Sequence, residues 1–132
     1  MKGGQSVRID HVALWTLNLE RLVTFYTDWF QASPSSRYEN SATGFSSYFL
    51  SFPDGGRLEV MQRPDVTEGN PDQQLGYAHL ALAVGGDEQV DLLVGRMMQS
   101  NIEVVDGPRR TGDGYYEAVI LDPDGNRIEI TS

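Results

Sequence analysis

Cysteine is absent from this 132-residue chain, which excludes a disulfide framework, a thiolate metal site and a cysteine nucleophile. Histidine is scarce as well, with only His11 and His79. Basic residues are few: 10 Lys and Arg stand against 19 Asp and Glu, for a formal net charge of −9. Nucleic acids and anionic membranes are recognised through an excess of Lys and Arg, so neither is an expected partner. No apolar run approaches the roughly twenty residues of a membrane span. Met1-Lys2-Gly3-Gly4-Gln5 lacks the apolar stretch of a secretion signal, and the expected location is cytoplasmic.

What the chain does have is repetition. Phe52-Pro53-Asp54-Gly55-Gly56-Arg57-Leu58-Glu59-Val60 is written again as Asp122-Pro123-Asp124-Gly125-Asn126-Arg127-Ile128-Glu129-Ile130, and His11-Val12-Ala13-Leu14 as His79-Leu80-Ala81-Leu82. The two histidines are offset by 68 residues and the two glutamates by 70. Each half alone is marginal in size for an independent core. The reading is one domain, residues 1–132, built from two similar modules (about 7–62 and 77–131) and a polar, proline-containing linker at 63–76.

The first module opens with an alternating strand from Val7 to Thr16, placing Val7, Ile9, His11, Ala13 and Trp15 on one face and Asp10, Val12 and Leu14 on the other. Asn18 caps a helix whose buried stripe is Leu19, Leu22, Val23, Tyr26, Trp29 and Phe30. Strands follow at Pro34–Glu39, Phe45–Phe52 and Gly56–Gln62, with a Pro-Asp-Gly turn before the last. The second module repeats the order: a strand at Tyr77–Val84, then a helix capped by Asp87 with the stripe Val90, Leu93, Val94 and Met97. Strands at Ile102–Val105, Tyr115–Leu121 and Arg127–Thr131 complete it, with a loop at Gly112-Asp113-Gly114. Each half is thus a βαβββ unit, and the fold class is α+β.

Each of the four repeated polar residues sits among apolar neighbours, such as Glu59 between Leu58 and Val60 and Glu129 between Ile128 and Ile130. In a strand such a glutamate points away from the face its neighbours bury. Singly, a strand His or a Glu after a turn is most often structural or solvated. Matched placement of all four favours a metal centre: two imidazoles and two carboxylates suit Zn²⁺, Ni²⁺, Co²⁺, Mn²⁺ or Fe²⁺, with positions left for water or substrate. Trp15, Arg63, Tyr115 and Tyr116 are open between substrate contact and simple packing or solvation.

These residues, from Ile9-Asp10-His11-Val12-Ala13-Leu14 through Gly76-Tyr77-Ala78-His79-Leu80-Ala81-Leu82 to Arg127-Ile128-Glu129-Ile130, resemble the vicinal oxygen chelate superfamily, the glyoxalase/bleomycin-resistance/dioxygenase group. The resemblance implies two βαβββ modules forming a curved mixed sheet around one divalent metal ion, bound by His11, Glu59, His79 and Glu129. A carboxylate at Glu59 is similar to glyoxalase I, the lactoylglutathione lyase. The implied activity is proton transfer through a metal-stabilised enediolate, with Glu129 as base and Glu59 as ligand and second acid/base. The substrate would carry vicinal oxygens, as lactoylglutathione or a related glutathione adduct does. Where glyoxalase I has an Arg and an Asn gripping glutathione, this chain has Trp15 and Arg63; Arg109 or Arg110 would supply the basic loop residue, and Tyr115 is a further substrate contact. The resemblance also implies a homodimer, with His11 and Glu59 from one subunit meeting His79 and Glu129 of the other. The alternatives are a three-ligand Fe or Mn oxygenase, a thiol transferase, or a non-catalytic drug-binding protein of the same superfamily.

Overall fold

The computed structural model describes residues 9–67, 77, 79–112 and 114–132. The chain separates into two compact units, Met1–Glu68 and Gly69–Ser132. The start of the first expected strand, most of the expected linker, Ala78 of the Tyr77–Val84 strand and Asp113 of the expected loop lie outside the described residues. Among the described residues no helix is long and apolar enough to cross a membrane.

The first unit runs β1 (Val12–Trp15), α1 (Leu19–Phe30), β2 (Ser33–Pro34), β3 (Tyr38–Asn40), β4 (Phe45–Phe52) and β5 (Gly55–Gln62). Its sheet has the order β1-β5-β4-β2, with β3 also pairing β4. β1 lies parallel to β5, and the other pairs are antiparallel. Asn18 caps α1 as expected, its Oδ1 accepting from the Arg21 N–H at 3.1 Å. Gln62 anchors the same helix entry, its Oε1 accepting from the Leu19 N–H and its Nε2 donating to the Leu17 carbonyl. Gln31 ends the helix in the left-handed conformation, φ 60°.

The stripe of α1 packs on one face of the sheet, where Leu22, Tyr26, Leu50 and Val60 are fully buried and Leu58 is 1 % exposed. Each such side chain contributes about 1.5–3 kcal/mol relative to exposure. Phe25 is buried in that stripe, whereas Trp29 is only half-buried. The single strand expected over Pro34–Glu39 is two short ones on either side of Ser35–Arg37. There the Ser35 N–H still donates to the Phe49 carbonyl, but no regular ladder continues.

The second unit runs β6 (Leu80–Ala83), α2 (Asp87–Gln99), β7 (Val104–Arg110), β8 (Tyr116–Leu121) and β9 (Arg127–Thr131), in sheet order β6-β9-β8-β7. Val90, Leu93, Val94 and Met97 of α2 are buried, as are Ala118, Ile120, Ile128 and Ile130 of the sheet. Asp87 is not the cap. Gly86 holds that position without a side-chain bond, and Asp87 is the first helical residue, its carboxylate paired with Arg110. The strand expected at Ile102–Val105 begins at Val104 and extends to Arg110, carrying both arginines that were expected on a loop. Two register shifts, after Val104 and after Asp106, interrupt the pairing with β8 and break the regular alternation on which sequence patterning depends.

The duplication extends to register. β1 and β5 align Val12 with Leu58 and Ala13 with Glu59; β6 and β9 align Leu80 with Ile128 and Ala81 with Glu129. Both copies of the Pro-Asp-Gly turn need a glycine at positive φ, 98° at Gly55 and 85° at Gly125. Asp122, which replaces Phe52 in the second copy, is buried, and its carboxylate accepts from the N–H groups of Asp124 and Asn126 and from the Asn126 amide.

Candidate metal centre

His11 and His79 each stand one residue ahead of the first strand of their unit, a strand that forms one edge of its sheet. Glu59 and Glu129 occupy the middle of the neighbouring parallel strand. The apolar residues flanking each glutamate are buried under the helix, which turns the carboxylate to the opposite face. The result is one His–Glu pair per unit. His11 Nε2 lies 3.7 Å from Glu59 Oε1, and His79 Nε2 lies 3.3 Å from Glu129 Oε2. The carboxylates are largely shielded, with side chains 17 % and 23 % exposed.

These separations suit shared coordination. Donors about 2.0–2.2 Å from a common ion at neighbouring positions stand roughly 3–3.5 Å apart. The second pair falls in that range, and the first needs only a small side-chain adjustment. Among the described residues no group of three or more His, Asp or Glu side chains forms a metal site on its own. Each unit therefore presents one His–Glu pair, two side chains able to ligate a cation.

On the open face of the first sheet, Phe49 lies across from Glu59 in the β4–β5 register, and Ala13 flanks Glu59 on the other side. Trp15 continues that face, 41 % exposed, with its ring edge-on to Phe45 and the Arg63 guanidinium 4.7 Å from its centroid. Arg63 also pairs with Asp65, holding that carboxyl below its usual range. Trp15, the last residue of β1, and Arg63, just past β5, are thus brought together.

The expected contacts in the second unit divide. Tyr115 is exposed, just ahead of β8, with its backbone tied to Thr111. Arg110 is directed elsewhere: it pairs with Asp87 of α2 and lies over the Tyr116 ring at 5.0 Å, while the Tyr116 hydroxyl donates to Asp91 of the same helix. That is the helix-covered side of the sheet, away from Glu129. Arg109 aligns with Glu117 in the β7–β8 register and stands on the other side, bonded to Asp106. Two residues that support the first pair escape the sequence reading. Asp10 bonds His11 Nδ1, and Arg57 bonds Asp10. Alternation placed Asp10 on the face opposite His11, but β1 begins at Val12, so the pattern does not govern Asp10. The available signal was the duplicated arginine at 57 and 127.

The sequence matches the family described as Glyoxalase/Bleomycin resistance protein/Dioxygenase superfamily over residues 8–130. Comparison with curated proteins gives no significant match. Among solved structures, a glyoxylase/bleomycin resistance protein/dioxygenase domain from Frankia sp. EAN1pec superposes with a TM-score of 0.80 at 16 % identity, covering 96 % of this chain and 92 % of that one. The trypanothione-dependent glyoxalase I of Leishmania major gives 0.78 at 24 % identity, covering 96 % and 87 %. The fosfomycin resistance protein FosX of Listeria monocytogenes, complexed with Mn(II) and sulfate, gives 0.71 at 18 % identity, covering 97 % and 93 %. Matched to the family over residues 8–130 and built of two duplicated units, each with one helix, one sheet and a His–Glu pair, this chain belongs to the glyoxalase/bleomycin resistance protein/dioxygenase superfamily.

Proposed function

We propose that the protein is a metal-dependent lyase or isomerase of the glyoxalase I type, in which His11, Glu59, His79 and Glu129 hold one divalent ion. The observation that carries this reading is the pair of His–Glu couples at equivalent register in the two units. The similarity to a glyoxalase I and to a Mn(II)-containing resistance protein supports it. The donor chemistry, two imidazoles and two carboxylates, suits Zn, Ni, Co, Mn or Fe.

When bound, the ion supplies Lewis-acid stabilisation of negative charge developing on adjacent substrate oxygens. The proton is handled by the chain itself. Glu129 accepts it from the carbon beside the carbonyl and returns it to the neighbouring carbon, so substrate and product differ only in where hydrogen sits. Glu59 serves as ligand and as a second acid/base. Trp15 and Arg63 offer an aromatic face and a cation to the rest of the substrate, and Tyr115 and Arg109 do so from the second unit. We further propose a homodimer, since each half donor set lies beside an edge strand and exposed edges invite pairing with a second chain.

Elemental analysis of chelator-free protein, with a methylglyoxal–glutathione isomerisation assay and related thiols in parallel, tests the reading. About one divalent ion per chain with isomerase turnover is expected. Metal-bound protein that consumes oxygen or transfers a thiol, but does not isomerise, would overturn it, as would tight ligand binding without metal or turnover.

A further inference from the structure

The two His–Glu pairs match in backbone register but not in what stands behind the histidine. The residue before His11 is Asp10, and the residue before His79 is Ala78, which has no acceptor on its side chain. Asp10 Oδ2 lies 2.9 Å from His11 Nδ1. An ionised carboxylate only accepts hydrogen bonds, so this contact requires the proton on Nδ1. In the neutral imidazole the other nitrogen, Nε2, then keeps its lone pair, and Nε2 is the atom nearest Glu59. A histidine side chain free in water favours the opposite tautomer, with the proton on Nε2. The wrong tautomer would have to exchange its proton before it could bind a cation.

Asp10 is itself held. An Arg57 guanidinium nitrogen donates to the same Oδ2 at 2.6 Å. The guanidinium carbon lies 4.4 Å from the Phe49 ring centroid, and that ring meets the His11 imidazole edge-on at 5.2 Å. Arg57 and Glu59 share one face of β5 through strand alternation, and Phe49 is the cross-strand neighbour of Glu59. Carboxylate, guanidinium and aromatic ring thus surround the His11 imidazole, the carboxylate at Nδ1 and the Phe49 ring edge-on to it.

We propose that Asp10, anchored by Arg57, is a positioning residue that holds His11 as the Nδ1–H tautomer and so preforms a cation-binding Nε2 before any ion arrives. The proposal rests on the reading of His11 as a metal ligand. It also makes the two histidines inequivalent: His11 is set in advance by a carboxylate, whereas the position before His79 offers none.

The test uses the full chain, metal-free, with ¹⁵N-labelled histidine and long-range ¹H–¹⁵N correlation at alkaline pH. Signals are assigned by His11→Gln and His79→Gln. In the wild type, His11 should show a protonated Nδ1 and an unprotonated Nε2. Asp10→Ala should move His11 toward the Nε2–H form and leave His79 unchanged, whereas Asp10→Asn, which keeps an acceptor oxygen, should retain the wild-type tautomer. Titration with Zn²⁺ and Co²⁺ should show affinity about 10–100-fold weaker for Asp10→Ala, with most of the loss restored in Asp10→Asn. An Nε2–H tautomer of His11 in the wild type would overturn the proposal, as would an Asp10→Ala variant that binds both ions as well as the wild type. A wild type that binds neither ion would instead overturn the metal reading, whatever the tautomer.

Discussion

Replacing Asp122 by Ala should be among the costliest changes to a polar residue in the second unit. Its buried carboxylate accepts three hydrogen bonds, from the Asp124 N–H at 2.9 Å, the Asn126 N–H at 2.9 Å and the Asn126 side-chain amide at 2.8 Å. Hydrogen bonds to a charged group are worth about 1.5–3 kcal/mol each, so a simple sum is about 4.5–9 kcal/mol. That sum overstates the loss. The three bonds share one acceptor group and are not additive, and the half-buried Asn126 can take some replacement from water.

We expect Asp122→Ala to lose about 3 kcal/mol of unfolding free energy. In urea, with a slope of about 1.5–2 kcal/mol/M, the midpoint should fall by roughly 1.5–2 M. Asp122→Asn keeps one acceptor oxygen but turns an NH₂ toward a donor, and should cost about half as much. Asp54→Ala, at an exposed residue of the first copy's turn, is the control and should stay within about 0.5 kcal/mol. Far-UV circular dichroism follows the transition; tryptophan fluorescence is unsuitable, because Trp15 and Trp29 both belong to the first unit. An Asp122→Ala loss below about 1 kcal/mol, or an Asn variant as stable as the wild type, would refute the idea that this carboxylate holds the turn.

Glu129→Gln should leave the fold intact and lower isomerase turnover by about 10²-fold or more, with a smaller loss for Glu59→Gln; the reverse order in steady-state assays would put the base on the other glutamate. Gly107→Ala would set a Cβ 2.6 Å from the Glu117 carbonyl oxygen at a φ of +76°, and should cost more than about 2 kcal/mol in urea denaturation. Gly95→Ala, in open space on α2, should instead stabilise by about 0.5–1 kcal/mol. The Tyr116 hydroxyl is raised above the ordinary phenol range, first by its hydrogen bond to Asp91 and then by desolvation and the nearby acidic charges. The stability tied to it is therefore fully present below the ordinary phenol value and lost as pH rises through the raised one. Asp91→Asn should bring that ionisation down in a phenolate absorbance titration, with Tyr116→Phe identifying the signal.

Much of the fold and the pairing of each histidine with its glutamate were legible in the residues, because the duplication supplies its own control. Apolar spacing in α1 and α2 follows from one buried face on a period of 3.6, and the buried neighbours of Glu59 and Glu129 follow from strand alternation. Legibility ended where local geometry departs from those periods. Phe25 is buried beside Tyr26 because the covered face of α1 is wider than a strict stripe. The register shifts in β7 hid both its length and the opposite destinations of Arg109 and Arg110. The helix entry at Asp87 was misread because an acidic residue serves equally well as a cap and in the first turn, where the helix dipole favours it. Asp10 was missed because an i, i+1 contact ahead of a strand has no periodicity to reveal it.

The asymmetry between the copies bears on which glutamate would move the proton in the proposed reaction. Ligands and bases make different demands: a ligand is best held still, whereas a base must alternate between charged and neutral forms with room for its partner. The surroundings of Glu59 are the more constrained. Phe49 lies across from it, and the facing His11 is gripped by Asp10, Arg57 and the same aromatic ring. Glu129 has the smaller Val119 across the strand, and no acidic side chain precedes its histidine. Its carboxylate is also the more exposed of the two, 23 % against 17 %. The residues around the two duplicated pairs differ, and the first pair has the more contacts of the two. The proposed roles, Glu59 holding and Glu129 exchanging, accord with that difference. Its direct consequence is that substitutions around the first pair should act mainly on metal affinity, and substitutions at Glu129 mainly on turnover.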